Sequence, residues 1–308
     1  VAGGKLFESA FNLPYLTGVL LKASVVVAYT FIGGFMAVSL TDFVQGTIMV
    51  IALLLIPSVV LFDLGGPAPT FETIRSIDPS YLDLFKGTSV VGILSLLAWG
   101  LGYFGQPHII VRFMAITDVT KMKTARRVAI SWMIFSVIGA MFIGLVGIAY
   151  NDKYDISLSD PETIFVYFSK TLFHPLIGGF LLSAILAAIM STISSQLLVS
   201  SSSLTEDIYK KLLKKDANEK ELLIVSRISV LVVAFLALIL SLNPQDTILD
   251  LVGHAWAGFG SAFGPVVLLS LLWKRTTREG IIAGMLVGGI TVLLWISVIP
   301  APLSDWYA

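Results

Sequence analysis

Cysteine is absent from this sequence, which removes disulfide frameworks and thiolate metal sites together. Histidine is nearly as scarce: His108, His174 and His254 are the three present, and none stands at the HExxH spacing of a zinc protease. No paired carboxylates and no nucleophile elbow fall within an apolar segment. With so few proton-transfer and nucleophilic groups, the sequence reads as a non-enzyme. Charge is sparse too, at 13% of residues, and split evenly between 20 basic and 20 acidic side chains. A nucleic-acid partner, which needs a basic surface, is therefore not implied. Signal-peptide and lipidation motifs are missing at the start, which is Val1, and the chain reads as a piece of a longer protein. Low-complexity tracts are missing as well, and no internal repeat is visible; inverted-topology repeats diverge too far to be seen this way.

What the sequence has in quantity is apolar length. Hydrophobic residues make up 56% and the mean hydropathy is +0.90, too apolar for an ordinary soluble domain. A window of about 19 residues finds eight candidate spans, over residues 16–38, 44–62, 88–113, 128–150, 175–204, 222–242, 248–273 and 280–299. The expected class is an all-α integral membrane protein with eight transmembrane helices. Lys121, Lys123, Arg126 and Arg127, then Lys210, Lys211, Lys214, Lys215 and Lys220, then Lys274, Arg275 and Arg278 fall in alternate loops, which the positive-inside rule places in the cytoplasm. The acid-rich segments 63–86 and 151–174 belong outside. Lys22, near the outer end of the first span, is expected to snorkel to the interface.

Within the spans, residues 183–207 stand out as SAILAAIMSTISSQLLVSSSSLTED. At about 100° per residue, Ala184, Ala188, Ser191, Ser195 and Ser202 share one face, with Thr192 a step round. One reading is packing, since serine and threonine in lipid bond their own helix or a neighbour. The other is that Ser191 and Thr192 aim oxygens at a hard cation such as sodium. A second stretch, WGLGYFGQP over residues 99–107, concentrates three glycines and a proline. It predicts a broken helix, which at membrane depth survives where it lines a cavity or is buried in protein. Trp99 and Tyr103, four apart, share a face beside the break and can cup an apolar ring, or serve as core. In YTFIGGFMAVSLTDFVQ, residues 29–45, the first two spans are expected to join through Gly33, Gly34 and a polar turn. There Thr41 or Asp42 is read as the N-cap of the second span, with a cation-attracting carboxylate at the inner mouth as the alternative. Gly260 and Gly264 make a face for close helix packing.

Four motifs in this order and spacing, AYTFIGGFMAVSLTD, WGLGYFGQPHI, SAILAAIMSTISSQLLVSSSSLTEDIYK and AWAGFGSAFGPVVL, resemble the sodium:solute symporter family over essentially the whole chain, most closely its bacterial sodium/proline branch. The resemblance implies an inverted-repeat fold of two five-helix units. Residues 1–86 would be the last two helices of the first unit with an outer loop, 87–273 the complete second unit, and 274–308 a peripheral helix. It implies substrate contacts at Trp99, Tyr103 and Pro107, and a sodium ion held by Ser191, Thr192 and the Ala188 carbonyl. Glu162 matches an outer-loop acid with a gating role, and Asp42 an inner aspartate on the ion path. The implied activity is sodium-coupled symport of L-proline across the bacterial cytoplasmic membrane by alternating access. Another small solute (an amino or organic acid, a vitamin or a sugar) and a non-transporting sensor on the same fold are the alternatives. Nothing here matches the family's first broken helix or its terminal helix, so the fragment alone is expected not to transport.

Overall fold

Proline and small polar caps start the helices of this chain. Pro67, Pro107 and Pro175 open three of them, where the missing N–H costs nothing and the fixed φ is already helical. Ser89 and Asn218 open two more by accepting the free amides of Gly92 at 3.0 Å and Glu221 at 2.9 Å. The computed structural model describes residues 1–156, 158, 160–242 and 248–298. Ile299, the end of the expected eighth span, and the rest of the expected peripheral segment lie outside the described residues.

Among the described residues all regular structure is helical. The order is α1 (Ala2–Phe11), α2 (Tyr15–Asp63), α3 (Pro67–Ile77), α4 (Val90–Gly102), α5 (Pro107–Met114), α6 (Met122–Tyr154), α7 (Ile164–Thr171), α8 (Pro175–Ser202), α9 (Glu219–Leu240), α10 (Ile248–Leu272) and α11 (Arg278–Val298). A π-type helix, Ser203–Leu213, continues α8. Among the described residues six helices are long and apolar enough to cross a membrane, or seven if the pair over residues 90–105 and 107–114, bent by 52°, is one broken span. That bend falls where the glycines and Pro107 predict it.

The spans expected over 16–38 and 44–62 lie within α2, whose 49 residues amount to roughly 73 Å of helix at 1.5 Å per residue. Its interruption is at Gly34, with φ 56° and ψ −149°, a conformation that essentially only glycine adopts. The polar turn at Thr41 and Asp42 does not form. The Thr41 hydroxyl donates to the Ala37 and Val38 carbonyls at 3.0 and 2.9 Å, and helix runs unbroken through both residues. The N-cap reading of Thr41 and Asp42 is thus corrected. A glycine able to take a forbidden conformation turns the chain before any cap is needed.

The chain divides into two compact units. The first combines Val1–Leu82 with Lys123–Pro244. Its largest core joins Ala52, Ile56 and Val60 of α2, Ile143, Val146 and Tyr150 of α6, Phe168 of α7, and Leu181 and Ala184 of α8. Val26, Leu197 and Ala234 tie α2, α8 and α9 together. Lys22 does not snorkel: it is 4% exposed, and its aliphatic stem lies over Gly3, where a Cβ would come within 2.5 Å of the lysine Cδ. The second unit combines Asp83–Met122 with Gln245–Ala308, and in it α10 packs against α4, the turn at Tyr103–Gly105 and α11. Gly260 and Gly264 serve the close packing their spacing suggests. Added Cβ atoms there would stand 3.0 Å from the Gly102 Cα and 3.2 Å from the Leu101 carbonyl oxygen. Large apolar side chains such as Phe62, Leu176 and Leu240 stay outermost, as lipid in place of water permits.

Candidate functional site

In the first unit, α8 carries the hydroxyl ladder. Ser191 and Thr192 both donate to the Ala188 carbonyl, each at 3.0 Å, so the three residues expected at the cation site converge on one oxygen. Their approach follows from spacing, because hydroxyls three and four residues on from a helical carbonyl sit above it. It serves packing and cation binding alike: a hydroxyl that gives its proton to a carbonyl keeps its lone pairs for a metal ion. One turn further on, Ser194 is fully buried and donates to the Ser191 carbonyl at 3.1 Å. Ser195 donates to the Asp42 carboxylate at 3.3 Å. Sequence reasoning counts Ser195 as packing; here it joins the ladder to the one acid of α2 at that depth. The Tyr29 hydroxyl, from the same helix as Asp42, donates to the Met190 carbonyl at 3.2 Å. Neutral hydroxyl and carbonyl oxygens with one carboxylate nearby suit a hard monovalent cation. Among the described residues no three His, Cys, Asp or Glu side chains are grouped to hold a metal ion.

Glu162 stands apart from that ladder, in the short turn Pro161–Thr163 that precedes α7. Asp160 caps the turn by accepting the Glu162 amide at 2.9 Å. The Glu162 carboxylate accepts from the Lys5 ammonium of α1 at 2.8 Å, with Asp160 3.8 Å from the same ammonium. That hydrogen bond, reinforced by the two negative charges, pushes the Lys5 pKa above its ordinary value. A second strand of the same tie is Lys170 of α7, which donates to the Ala10 carbonyl at 3.1 Å. The sequence gives no sign of the pairing, since Lys5 and Glu162 are 157 residues apart.

In the second unit, Trp99 and Tyr103 share a face as their spacing requires, and the ring between them is Trp256 of α10. The Trp99 and Trp256 rings stack at 5.8 Å, and Tyr103 meets Trp256 edge-on at 4.8 Å. The Trp256 indole N–H donates to the Trp99 carbonyl at 3.0 Å. This carbonyl lies within four residues of the turn at Tyr103–Gly105 that ends α4, where helical bonding gives way. Gly102 makes room: a Cβ there would collide with the indole. Trp256 is the residue that the sequence does not single out, since its motif reads as glycine packing alone. Pro107 opens α5 directly after the break.

Apolar helices interrupted at membrane depth, with hydroxyls, a carboxylate and aromatic faces gathered beside the interruptions, are the construction of secondary transporters. The chain belongs to the sodium:solute symporter family, whose model matches residues 1–288. It is 61% identical over 297 residues to the osmoregulated proline transporter OpuE of Bacillus subtilis, covering 96% of this chain and 60% of that protein. It is 58% identical over 306 residues to the high-affinity proline transporter PutP of the same organism, covering 99% and 64%. With sodium/proline symporter 2 of Staphylococcus saprophyticus it is 58% identical over 299 residues, covering 96% and 58%. The chain thus spans 58% to 64% of the length of these curated relatives. A solved structure of a Na+-coupled sialic acid symporter, substrate-bound and outward-open, superposes with a TM-score of 0.68 at 20% identity, over 95% of this chain and 70% of that one; this likeness concerns the fold.

Proposed function

We propose that this chain is the greater part of a sodium-coupled L-proline symporter of the bacterial cytoplasmic membrane, working by alternating access. The observation that carries the reading is the convergence of Ser191 and Thr192 on the Ala188 carbonyl, one turn from the Ser195 bond to Asp42. These neutral oxygens are the ligands a sodium ion takes, and the carboxylate supplies the attraction that draws it in. Asp42 then lies on the ion path, and Glu162, held by Lys5, acts at the outer gate. Trp99, Tyr103 and Pro107 are the substrate contacts, with the aromatic surface that Trp256 leaves uncovered receiving the apolar ring of proline. The named proline transporters among the relatives support this choice of solute.

On this reading the two arms of α2 about Gly34 are separate spans, because roughly 73 Å of helix is more than twice the ~30 Å hydrocarbon core. Counted with the bent pair as one, that makes eight, arranged as residues 1–86 from the first repeat, 87–273 as the second five-helix repeat and 274–308 as a peripheral segment. Sodium entering down a membrane potential of about 100 mV releases about 2.3 kcal/mol per charge, enough to concentrate a neutral solute about fiftyfold. The test is uptake of labelled proline by proteoliposomes holding the full-length protein. Uptake should follow an imposed sodium gradient and be outcompeted by unlabelled proline before any other amino acid, organic acid, vitamin or sugar in a panel. Uptake indifferent to sodium, or won by another solute, would overturn the assignment.

A further inference from the structure

Gln106 sits at the break itself. Its backbone is pinned: the amide donates to the Tyr103 carbonyl at 3.4 Å, and its own carbonyl accepts from Ile109 and Ile110 at 3.1 Å each. It is the N-cap of α5, yet its side chain makes no capping bond. The residue is 3% exposed, and its side-chain Nε2, buried, has no hydrogen-bond partner among the described residues. A leucine or methionine would fill the same volume without leaving donors unsatisfied, so this carboxamide is a cost to the resting protein unless an acceptor arrives. The acceptor must be small enough to enter the break. It is favoured if negatively charged, because Gln106 heads α5, where the amide end of the helix dipole stabilises anions.

We propose that the Gln106 carboxamide, buried at the junction of α4 and α5, is the donor that recognises the carboxylate of the transported amino acid. The inference rests on the proline reading and extends it: Trp99 and Tyr103 take the ring, and Gln106 takes the acid. Because the donor is sealed in the described state, the carboxylate reaches it when the break opens during the transport cycle. Gln106 is then a specificity-determining residue that separates amino acids from amines and amides of the same shape.

The experiment compares L-proline with prolinamide, in which a neutral amide replaces the carboxylate, as competitors of labelled proline uptake by the full-length protein in proteoliposomes. Gln106→Leu should raise the half-saturating proline concentration about 10-fold to 100-fold, the range expected for a lost hydrogen bond to a charged group. It should leave the inhibitory concentration of prolinamide nearly unchanged, so the preference for the acid narrows by the same factor. Gln106→Glu, almost identical in shape, adds repulsion against a carboxylate and should narrow the preference further; it also replaces the leucine variant if that one fails to fold. Sodium binding measured without proline should stay within about twofold of wild type. An unchanged preference in a folded variant overturns the proposal. So does a loss that falls equally on proline and prolinamide, the signature of a structural role. A wild type without sodium-driven proline uptake overturns the functional reading instead, before any variant is compared.

Discussion

The hydroxyl of Ser195 on α8 donates to the carboxylate of Asp42 on α2 across 3.3 Å, joining residues 153 apart in sequence. It connects the ladder of α8 to an acid, in a pair of helices joined as well by the Tyr29 hydroxyl bond to the Met190 carbonyl and by the apolar cluster of Val26 and Leu197. If Asp42 attracts the ion, Asp42→Asn should raise the half-activating sodium concentration of uptake about tenfold, the equivalent of about 1.4 kcal/mol. Ser195→Ala should raise it severalfold. The double variant should cost less than the sum, since both act through one bond. Strict additivity in sodium-titrated uptake would separate the two residues.

Ser191→Ala and Thr192→Ala should weaken sodium activation before they touch proline. Each removes a neutral oxygen from the Ala188 carbonyl cluster. Proline affinity should follow only through linkage, a coupling of about 1–3 kcal/mol that disappears when sodium is saturating. Sodium titrations at fixed proline, and the reverse, distinguish this from direct damage to the substrate contacts.

Gly34→Ala should destabilise the protein by about 1–3 kcal/mol, because a side chain cannot adopt φ 56° and ψ −149° without strain. Open space surrounds the position, with no atom within 4 Å of an added Cβ, so the penalty is conformational and not steric. Gly144→Ala, on ordinary helical backbone in α6 and likewise with no atom within 4 Å of an added Cβ, serves as the comparison. A thermal midpoint for Gly34→Ala equal to wild type would remove the kink's claim on glycine.

Trp256→Phe keeps a ring between Trp99 and Tyr103 but loses the N–H bond to the Trp99 carbonyl, an expected loss of about 1 kcal/mol in stability. Gly102→Ala should cost more, about 1–3 kcal/mol, because its methyl overlaps the indole. Trp99→Ala and Tyr103→Ala should raise the half-saturating proline concentration at saturating sodium. Thermal melts of the first two and uptake curves of the last two separate support of the cup from contact with the solute.

Lys5→Met should lower stability by no more than about 1 kcal/mol at neutral pH, the ordinary range for a partly exposed ion pair. Because Glu162 raises the Lys5 pKa, the pair's contribution is fully present below the ordinary lysine value of about 10.4 and is lost as pH rises through the elevated folded value. The difference in melting temperature between wild type and Lys5→Met should therefore be flat from pH 7 to 9 and shrink above about pH 10.4. A difference that closed already at pH 8 would point to a group other than Lys5.

The sequence by itself determined the membrane as solvent, the apolar stretches that become helices, the join at Gly34, the interruption ahead of Pro107, and the close face of Gly260 and Gly264. All of these rest on local properties: hydropathy over one helix length, the backbone demands of glycine and proline, and spacing on a single helix. It also placed Ser191 and Thr192 over Ala188, since a hydroxyl and the carbonyl a turn below it belong to one helix. Tertiary structure alone decided what lies opposite each of these. It carried helix from the break at Gly34 through Asp42, so the expected cap became an acid facing Ser195. It set Trp256 in the cup of Trp99 and Tyr103, folded Lys22 over Gly3 and brought Lys5 to Glu162. Each of these pairs joins separate helices, and such partners are chosen by packing in three dimensions, for which one chain's local pattern carries no record.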